Sequence, residues 1–488
     1  MSGRRVSLGV VDADPLARLR RALAGLERED VAAQFGLPAH DQVLKTTISL
    51  CPTCLAHVPA VVYTAEGRVW LERRCPEHGG ARALLESDER YYHLSNKDAS
   101  GRCYAPDRVM VFPEYQDACC GPSGCGPATS QAGNKTCTIL VEVTNACNLS
   151  CAVCYSDSKG DRMLPLETFK QHIDALIETR GGLDSVQITG GEATLHPDYW
   201  SLVGFLADHA GVGKVYLPTN GLLLSQPDGV APLEQWKDKV LVLLQFDALD
   251  AAANLTLRRA NPDSQRRRLV EACGVRGIPM QLTMTLSHGV NTDQLEAVLR
   301  FALARNHVKV LALQPVTWSG RYDLPEDPLD RLTLSDIVKT VAAAETRARS
   351  READFAPIPC SHPNCGWISL YVRRFGLVRS LMPHVDLERV MNSVAYKTML
   401  SSKELQAAVG TAGGPLRRAI DRLGRKLVRS SDVFTVAVKP FMDRFTYDQD
   451  RIAACCHHLM DTRGQAVSFC EYNARLREAD SWERFPVA

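Results

Sequence analysis

Two hydrophobic periods alternate along the middle of this chain. Short apolar runs rich in Val, Ile and Leu are typical of strands buried on both faces, and amphipathic segments with helical spacing separate them. The predicted strands cover residues 138–143, 185–189, 214–218, 240–246, 280–286 and 308–316, and the predicted helices cover 166–179, 200–210, 265–275 and 292–304. Six βα units of this kind predict an α/β fold, in which a parallel sheet with right-handed crossovers forms a partial (β/α)6 barrel.

The flanking regions have other patterns and divide the chain further. Leucines at helical spacing come first, two cysteine knuckles with strand-like runs between them follow, and a stretch rich in Cys, Gly and Pro precedes the barrel. The predicted segments are a helical lead-in (1–46), a zinc-ribbon or rubredoxin-like metal module (47–100), a Cys-rich auxiliary segment (101–137), the barrel (138–350) and a C-terminal iron–sulfur domain (351–488). The Cys-rich segment has no apolar core of its own, so we expect bound metal to hold it together.

Composition and charge narrow the class of protein. With 488 residues and 45% hydrophobic residues, the chain has enough apolar surface for a large core and more than one domain. Its formal net charge of +1 argues against nucleic acid as the main partner. We find neither a convincing spanning segment nor a signal-peptide core, and therefore expect a cytoplasmic location. In a reducing compartment the 17 cysteines indicate metal sites rather than disulfides.

The central cysteine motif directly follows the first predicted barrel strand. Cys147, Cys151 and Cys154 have the spacing CxxxCxxC on one short loop. Three thiolates can hold three irons of a [4Fe–4S] cube and leave the fourth iron open to a small molecule, whereas an electron carrier closes all four. The alternative is a structural zinc loop or a group of buried cysteines, but zinc loops favour paired CxxC knuckles.

The metal module contains two knuckles that can share one ion. Cys51 and Cys54 form the first, and Cys75 and His78 form the second. A set of three cysteines and one histidine favours zinc over rubredoxin-type iron by ligand type, with mononuclear iron as the alternative.

Two further groups of cysteines predict auxiliary [4Fe–4S] clusters. The ligands assigned to the first are Cys120, Cys125 and Cys137, completed by Cys119 or Cys103, and those assigned to the second are Cys360, Cys365, Cys456 and Cys470. Adjacent cysteines seldom bind the same metal, which leaves the completing residue of the first set open. Cys273 lies in a helix-like segment and is expected to be a small buried apolar residue.

Polar residues follow several predicted strands, where a barrel collects its reactive groups. After the second strand, Gly190 and Gly191 let a ligand approach the backbone, and Glu192 can accept a hydrogen bond from an ammonium group. Asp247, after the fourth strand, fits an acceptor for a ribose hydroxyl. Asn220, after the third strand, is followed by glycine and is equally well explained as an ordinary turn former.

One amphipathic segment of the C-terminal region is strongly basic. Its apolar face contains Leu416, Ile420, Leu423 and Leu427, and its opposite face contains Arg417, Arg422 and Arg425. One interpretation is peripheral contact with an anionic membrane and a lipid substrate. A surface helix whose apolar stripe packs on the core is the simpler one.

Together these motifs resemble those of the radical S-adenosylmethionine (SAM) superfamily. They are the cysteine loop at 144–155, the Gly-Gly-Glu turn at 190–192, and the stretches 244–247, 314–321, 359–365, 439–443 and 469–473. Their order is similar to that of the group holding the class D methyltransferases, which are pterin methylases with a folate one-carbon donor, and the archaeal tetraether lipid synthases. The chain departs from that group at Ala128, where a third thiol is usual, and at Ala248, where glycine is usual.

The resemblance implies a partial TIM barrel that binds SAM, one SAM-binding [4Fe–4S] cluster, two auxiliary clusters, and flavodoxin or ferredoxin as electron donor. It places Cys147, Cys151 and Cys154 on the first cluster. The residues that it places against SAM are Gly190, Gly191, Glu192, Tyr155, Asn220 and Asp247.

The activity implied by the resemblance is reductive cleavage of SAM to a 5′-deoxyadenosyl radical, which removes hydrogen from an unactivated C–H bond before a C–C bond forms. A class D-like methyltransferase acting on a small molecule is favoured. One alternative is alkyl coupling of a lipid. Another is a peptide maturase of the SPASM type, for which residues 1–46 look too short to bind a peptide. The third alternative is a non-catalytic iron–sulfur electron carrier. The loop has no fourth cysteine to close the cluster, which disfavours this alternative.

Overall fold

The computed structural model of this chain describes residues 15–23, 26–95, 136–158, 160–358, 362–385 and 429–487. Several predicted features lie outside these ranges, namely Cys103, Cys119, Cys120, Cys125, Cys360 and the basic segment with Arg417, Arg422 and Arg425. Within the described ranges, no helix combines the length and the apolar character needed to cross a membrane.

The amino-terminal region consists of short helices around an antiparallel sheet. Its elements are α1 (Pro15–Leu23), α2 (Arg28–Phe35), β1 (Gln42–Leu50), β2 (His57–Ala65), β3 (Arg68–Cys75), β4 (Gly79–Glu86) and α3 (Glu89–Ser95). The four strands pair in sequence order. The sequence predicted only a hairpin here, and β1 begins inside the predicted helical lead-in.

The central region alternates strands and helices as predicted. Its elements are β5 (Thr138–Thr144), β6 (Val153–Cys154), α4 (Leu166–Arg180), β7 (Leu183–Gly190), α5 (Tyr199–Asp208), β8 (Val212–Thr219), β9 (Val240–Gln245), α6 (Ala251–Arg258), α7 (Asp263–Arg276), β10 (Met280–Leu286), α8 (Leu295–Leu303), β11 (Val308–Pro315), β12 (Arg321–Tyr322) and α9 (Leu334–Ala343). All six predicted barrel strands and all four predicted helices are present, which confirms the α/β prediction. The helices α6 and α9 were not predicted.

The C-terminal region adds strands to the barrel sheet. Its elements are β13 (Ala356–Pro357), β14 (Trp367–Arg374), β15 (Leu377–Ser380), β16 (Val433–Val438), α10 (Gln449–Ala453), β17 (His457–Met460) and β18 (Ala466–Ser468). Strand β16 pairs in parallel with β11, and β17 pairs in parallel with β5. The six predicted strands therefore form the middle of a run of eight parallel strands, in the order β17-β5-β7-β8-β9-β10-β11-β16.

A side-chain contact joins the two ends of this parallel run. Lys439, which follows β16, lies with its Nζ 2.9 Å from Nε2 of His457, the first residue of β17. Burial lowers the pKa of His457 well below its ordinary value, and the charge of Lys439 acts in the same direction. The imidazole is therefore neutral and accepts a hydrogen bond from the ammonium group.

The amino-terminal sheet packs on the segment between β16 and β17. Lys45 and Thr47 on β1 donate hydrogen bonds to the Asp448 carboxylate at 2.8 and 2.7 Å. These polar positions interrupt the apolar pattern of β1, which explains why the sequence did not reveal this strand. Arg73 on β3 is fully buried and donates to the carbonyl oxygen of Phe445 at 2.6 Å.

The ion pair between the two regions generates a stability prediction with a matched control. Lys45 contacts two carboxylates, Asp448 at 2.8 Å and Asp450 at 2.9 Å, and their side chains are 3% and 57% exposed. We expect Asp448→Asn to lower the free energy of unfolding by about 1.5–3 kcal/mol, because it removes a buried charged acceptor. Asp450→Asn should cost about 0–1 kcal/mol, because water screens that pair. Urea unfolding of both variants at neutral pH, followed by tryptophan fluorescence, tests the difference, and equal losses would contradict it.

The contribution of the Lys45–Asp448 ion pair to the free energy of unfolding depends on pH, and the pKa of Asp448 gives the direction of this dependence. Burial by itself raises the pKa of Asp448, but the charge of Lys45, the charge of His362 and the hydrogen bonds from Lys45 and Thr47 together hold the pKa below its usual range. A depressed folded-state pKa stabilises the fold above the unfolded pKa of about 4, and this contribution is lost as the pH falls through the folded value. The stability difference between wild type and Asp448→Asn should therefore shrink on acidification below about pH 4.

Candidate functional site

The loops at the carboxyl ends of the parallel strands surround an internal cavity of about 800 Å³. The cysteine loop follows β5, the Gly-Gly-Glu turn follows β7, and Asn220 follows β8, and all three line the cavity. The structure therefore brings the three cysteines of the loop and five of the six residues predicted to bind SAM to one cavity, as parallel strands of a barrel require.

The three cysteines of the loop face this cavity together. Cys147, Cys151 and Cys154 are each partly exposed and contribute to its wall. Burial raises the pKa of the Cys147 thiol to about 11, and the nearby Cys151 and Cys154 act in the same direction. Among the described residues, only the amino-terminal module brings three or more ligand atoms within 4.8 Å of one another. The sulfurs of the cysteine loop are therefore spaced more widely than the ligand atoms of that module. This wider spacing suits a cube of several irons better than a single ion, so the three thiols fit a [4Fe–4S] cluster.

Other segments hold the backbone of this loop. The Nε of Arg321 donates to the carbonyl oxygen of Cys151 at 2.7 Å, and Arg258 donates to that of Val153 at 3.2 Å. The short strand β12 pairs with β6, so that Arg321 lies opposite Cys154. Sequence reasoning did not assign Arg258 or Arg321 to the site, although Arg321 belongs to one of the motifs that carried the resemblance.

Glycine is required where a third segment approaches the loop. Gly320 has a φ of 64°, and a Cβ atom there would overlap the carbonyl oxygens of Cys154 and Tyr155. Gly190 and Gly191 are needed for the same reason, because a Cβ at either would overlap the carbonyl of Thr144 or Ala146. These two glycines thus allow close packing on the cysteine loop, whereas the sequence suggested only an approach to a ligand.

Glu192 and Asn220 link the Gly-Gly-Glu turn to the next strand. The buried Glu192 carboxylate accepts hydrogen bonds from the N–H of Asn220 at 2.7 Å and the Thr219 hydroxyl at 2.8 Å. Burial raises the pKa of Glu192. The Asn220 amide donates to Asn148 in the cysteine loop at 2.7 Å. Asn220 therefore lies directly after β8 and also contacts the cysteine loop.

Asp247 is fully buried and is not among the residues that line the cavity. Its carboxylate accepts two hydrogen bonds from Arg258 at 2.8 Å, one from Gln245 at 2.6 Å and one from the N–H of Thr285 at 3.0 Å. Burial favours a raised pKa, but Arg258 outweighs it and lowers the pKa of Asp247. The carboxylate thus fixes the guanidinium that binds the cysteine loop, and its contact with a ribose hydroxyl stays a prediction.

Tyr155 connects the cysteine loop with the C-terminal region. Its ring packs edge-on against Phe441 and Phe469, with centroid distances of 5.8 and 5.5 Å, and those two rings are 4.8 Å apart. Burial raises the pKa of the Tyr155 hydroxyl. Tyr155, Phe441 and Phe469, hereafter the aromatic trio, all line the cavity.

A buried ion pair that sequence reasoning missed lies on the same wall. Glu142 on β5 accepts hydrogen bonds from two nitrogen atoms of Arg477 at 2.7 and 3.0 Å, and both side chains line the cavity. The sequence contained one signal for this pair, because Glu142 is the single charged residue of an otherwise apolar strand. A buried carboxylate needs a partner, so its position predicts a nearby cation or hydrogen-bond donor.

The amino-terminal ligands converge on one point. The ligand atoms of Cys51, Cys54, Cys75 and His78 all lie within 4.8 Å of one another. Burial favours a raised pKa for Cys51, but backbone N–H groups, including that of Cys54, lower it to about 7. A low thiol pKa favours the thiolate that a metal binds, so this group fits a single tetrahedral ion.

Both auxiliary clusters stay predictions, because Cys103, Cys119, Cys120, Cys125 and Cys360 lie outside the described residues. Cys137, assigned to the first auxiliary cluster, packs against Cys456, assigned to the second. Cys365 and Cys470 lie elsewhere, and the thiol beside them is that of Cys455, which the sequence analysis did not select.

Comparison with protein families agrees with this arrangement. Residues 43–87 match the model described as the HMPTM N-terminal zinc ribbon domain. Residues 141–302 match the model of the Radical SAM superfamily. The first match contains the amino-terminal metal ligands. The second match contains the cysteine loop and most of the barrel.

Individual relatives differ in how much of the chain they cover. The chain is 25% identical to 7,8-dihydro-6-hydroxymethylpterin dimethyltransferase of Methanocaldococcus jannaschii over 91% of its own length and 96% of the relative. It is 32% identical to mycofactocin maturase MftC of Mycolicibacterium smegmatis, but over only 37% of its own length and 44% of the relative. Among solved structures, Streptococcus suis SuiB bound to S-adenosylmethionine is similar over 43% of this chain and 46% of SuiB. The identity is 19% and the TM-score is 0.37.

The packing of Gly320 predicts a sensitive position with a matched control. Gly320→Ala should reduce the iron and sulfide retained after anaerobic reconstitution, because the new methyl group displaces the Cys154 carbonyl. Gly376 has a similar φ of 74°, but a Cβ atom there would meet nothing within 4 Å, so Gly376→Ala should retain wild-type iron. Each variant also carries a strain of about 1–2 kcal/mol for alanine at positive φ. Equal iron content in both variants would contradict the proposed clash.

The amino-terminal ligands predict one ion independent of the cysteine loop. His78→Ala should lose about one zinc per chain in elemental analysis, because three thiolates leave one tetrahedral position unfilled. The exposed His40, outside this group, provides the control His40→Ala. One equivalent of iron in place of zinc in wild type would identify a rubredoxin-type site instead.

Proposed function

We propose that this chain, in which residues 141–302 form a radical SAM domain, is a methyltransferase that acts on a reduced pterin or a closely similar heterocycle. In this proposal Cys147, Cys151 and Cys154 hold a [4Fe–4S] cluster, and the turn at Gly190 and Gly191 lies along SAM. When bound, cluster and SAM would supply a 5′-deoxyadenosyl radical that removes hydrogen from an unactivated C–H bond. The SAM cleaved in this way leaves as methionine and 5′-deoxyadenosine, so the transferred carbon would come from a separate folate one-carbon donor. A one-electron donor of the flavodoxin or ferredoxin class would reduce the cluster.

A set of glutamine amides on the otherwise mainly apolar wall of the cavity is the observation that carries the substrate class. Gln187, Gln245, Gln281 and Gln314 project from four strands into the cavity. Within the described part of the chain, the side-chain amides of Gln187 and Gln314 have no hydrogen-bond partner. Each amide offers both a donor and an acceptor. Such groups match the donor and acceptor edge of a pterin ring.

Apolar side chains line most of the cavity, and only these amides disfavour a long alkyl chain as substrate. A lipid tail would leave the amides of Gln187 and Gln314 without partners, and burying an unpaired amide costs about 1–3 kcal/mol in proteins. Similarity also favours the pterin class over a peptide, because the pterin dimethyltransferase matches along nearly its whole length and the mycofactocin maturase over less than half.

The chain's own residues would position the reactants and exclude water. Arg258 and Arg321 fix the backbone of the cysteine loop. The aromatic trio covers the side of the loop that faces the C-terminal region. Rigid placement matters in radical chemistry, because a misdirected radical reacts with the protein itself.

Cleavage of SAM tests the central assignment. Reconstituted protein with dithionite and SAM should release 5′-deoxyadenosine, and Cys151→Ala should abolish this, because two thiolates do not retain the cluster. Cys273 is buried in α7 away from the cavity, so Cys273→Ala should cleave SAM like wild type. Cleavage by Cys151→Ala at the wild-type rate would remove the assignment.

The substrate class has a separate test. With 7,8-dihydro-6-hydroxymethylpterin, SAM, a reductant and a reduced folate as one-carbon donor present, mass spectrometry should detect a pterin product heavier by one or more methyl groups. Gln187→Leu and Gln314→Leu should raise KM for the pterin by about 10-fold, equivalent to one lost hydrogen bond, and leave SAM cleavage intact. The exposed Gln235 serves as the control Gln235→Leu. An unchanged KM in both cavity variants would reject these contacts.

A further inference from the structure

The cavity runs along the whole length of the barrel strands. On β8, Lys214 near the amino end and Asn220 just after the carboxyl end both line it. The six residue steps between them correspond to about 20 Å, at about 3.3 Å per residue. At the amino end, the exposed residues Lys237, Asp238 and Ser431 also line the cavity, so it reaches the surface there. The cavity therefore has a second end, remote from the cysteine loop.

Three lysines line this second end, namely Lys214, Lys237 and Lys309, hereafter the lysine rim. Lys214 on β8 and Lys309 on β11 are half-buried, and β9 and β10 lie between them in the sheet. The Nζ of Lys214 donates to the carbonyl oxygen of Asp238 at 2.5 Å, and that of Lys309 donates to the carbonyl oxygen of Ser431 at 2.6 Å. These hydrogen bonds hold two of the ammonium groups at the edge of the cavity.

The lysines of the rim differ from the arginines of the cavity in their partners. Arg258 and Arg266 pair with Asp247, and Arg477 pairs with Glu142. Within the part of the chain that the structure describes, no member of the lysine rim has a carboxylate within 4.0 Å. A carbonyl oxygen accepts a hydrogen bond but carries no net charge. The rim therefore keeps positive charge that is available to a ligand.

The acidic side chains near the rim do not neutralise it. Asp238 lines the same end of the cavity, but within the described ranges its carboxylate forms no ion pair. Burial lowers the pKa of Lys309 to about 8, and the charge of Arg373 acts in the same direction, while Asp432 opposes both without offsetting them. An anion bound beside Lys309 would stabilise its charged form.

We propose that the lysine rim is an anion-binding subsite for the far end of an elongated ligand, whose ring lies among the glutamine amides of the cavity. The ligand carries carboxylate or phosphate groups, because these are the anions that ammonium groups bind with charge-assisted hydrogen bonds. The length of the cavity separates these anionic groups from the atoms that react beside the cysteine loop.

Under the proposed function, a reduced folate has this shape. It combines a pterin ring with a tail that ends in one or more glutamate carboxylates. The ring would meet amides such as those of Gln187 and Gln314, and the tail would reach the lysine rim. This choice of ligand rests on the proposed function, whereas the charge of the rim does not. A phosphorylated pterin offers the same kind of anion on a shorter ligand and is the competing source.

Binding without turnover tests the subsite in full-length reconstituted protein. In equilibrium dialysis without SAM or reductant, wild type should bind tetrahydrofolate triglutamate more tightly than tetrahydrofolate monoglutamate. Added salt should reduce this preference, because it screens the charges. Lys214→Gln and Lys309→Gln should each weaken triglutamate binding by about 5-fold, as expected for the loss of one ion pair. Lys309→Arg should weaken it less, because the charge is kept.

A matched control and a folding check accompany these variants. Lys170 lies on α4, pairs with Glu167 and does not line the cavity, so Lys170→Gln should bind both folates like wild type. All variants should release 5′-deoxyadenosine with dithionite and SAM at the wild-type rate, because the rim lies at the opposite end of the strands from the cysteine loop.

Two results would overturn the proposal. The first is equal or absent binding of the two folates by wild type, or full triglutamate affinity in the double variant Lys214→Gln/Lys309→Gln. The second is binding of 7,8-dihydro-6-hydroxymethylpterin diphosphate that depends on the rim, with no effect of glutamate number on folate binding. That result would assign the rim to a phosphate and reject the folate tail.

Turnover separates this inference from the proposed function. In the pterin methylation assay, Lys214→Gln and Lys309→Gln should raise KM for the triglutamate donor by about 5-fold and leave kcat unchanged. Methylated pterin with an unchanged KM in both variants would overturn the subsite and retain the proposed function. Triglutamate binding that depends on the rim, without any methylated pterin, would support the subsite and reject the proposed function.

Discussion

The structure depends on how closely other segments approach the backbone of the cysteine loop. A loop that presents three thiols to a cavity has few hydrogen bonds of its own, and buried carbonyl groups without partners are costly. Arg321 and Arg258 supply donors to two of these carbonyls. Gly320 comes near enough to the loop only because it has no side chain. Together they define the shape of the loop before any ligand binds.

The segment that holds the loop is itself held by the C-terminal region. The N–H of Trp318 donates to the buried Asp443 carboxylate at 3.1 Å, and Arg331 pairs with the same carboxylate at 2.8 Å. Arg73 of the amino-terminal sheet donates to the carbonyl of Phe445, two residues further on. The metal module, the C-terminal strands and the cysteine loop are thus joined by continuous contacts. The flanking regions are therefore part of the support of the site.

The cavity explains how one barrel can combine radical chemistry with a polar substrate. The cysteine loop, the Gly-Gly-Glu turn and amides such as those of Gln187 and Gln314 line the same cavity. Apolar strand residues such as Leu140, Leu243 and Val310 line it as well, so the polar groups are few and set among apolar ones. In the proposed function, a substrate with a hydrogen-bonding edge would satisfy these amides while its apolar faces contact the rest of the wall.

The sequence by itself determined the features that depend on local pattern. The strand and helix periods predicted all six middle strands of the barrel, and short-range spacing predicted the cysteine loop and the knuckles around Cys51 and Cys75. It also placed Gly190 and Asn220 near that loop, because carboxyl ends of parallel strands share one edge.

Tertiary structure alone decided the contacts between residues far apart in the chain. Strands β16 and β17 extend the barrel although more than a hundred residues separate them from β11 or β5. Asp247 pairs with Arg258 and is not among the residues that line the cavity, which no strand pattern reveals. Cys137 and Cys456, more than three hundred residues apart and assigned from the sequence to different clusters, pack against each other, because contacts between distant segments leave no local pattern.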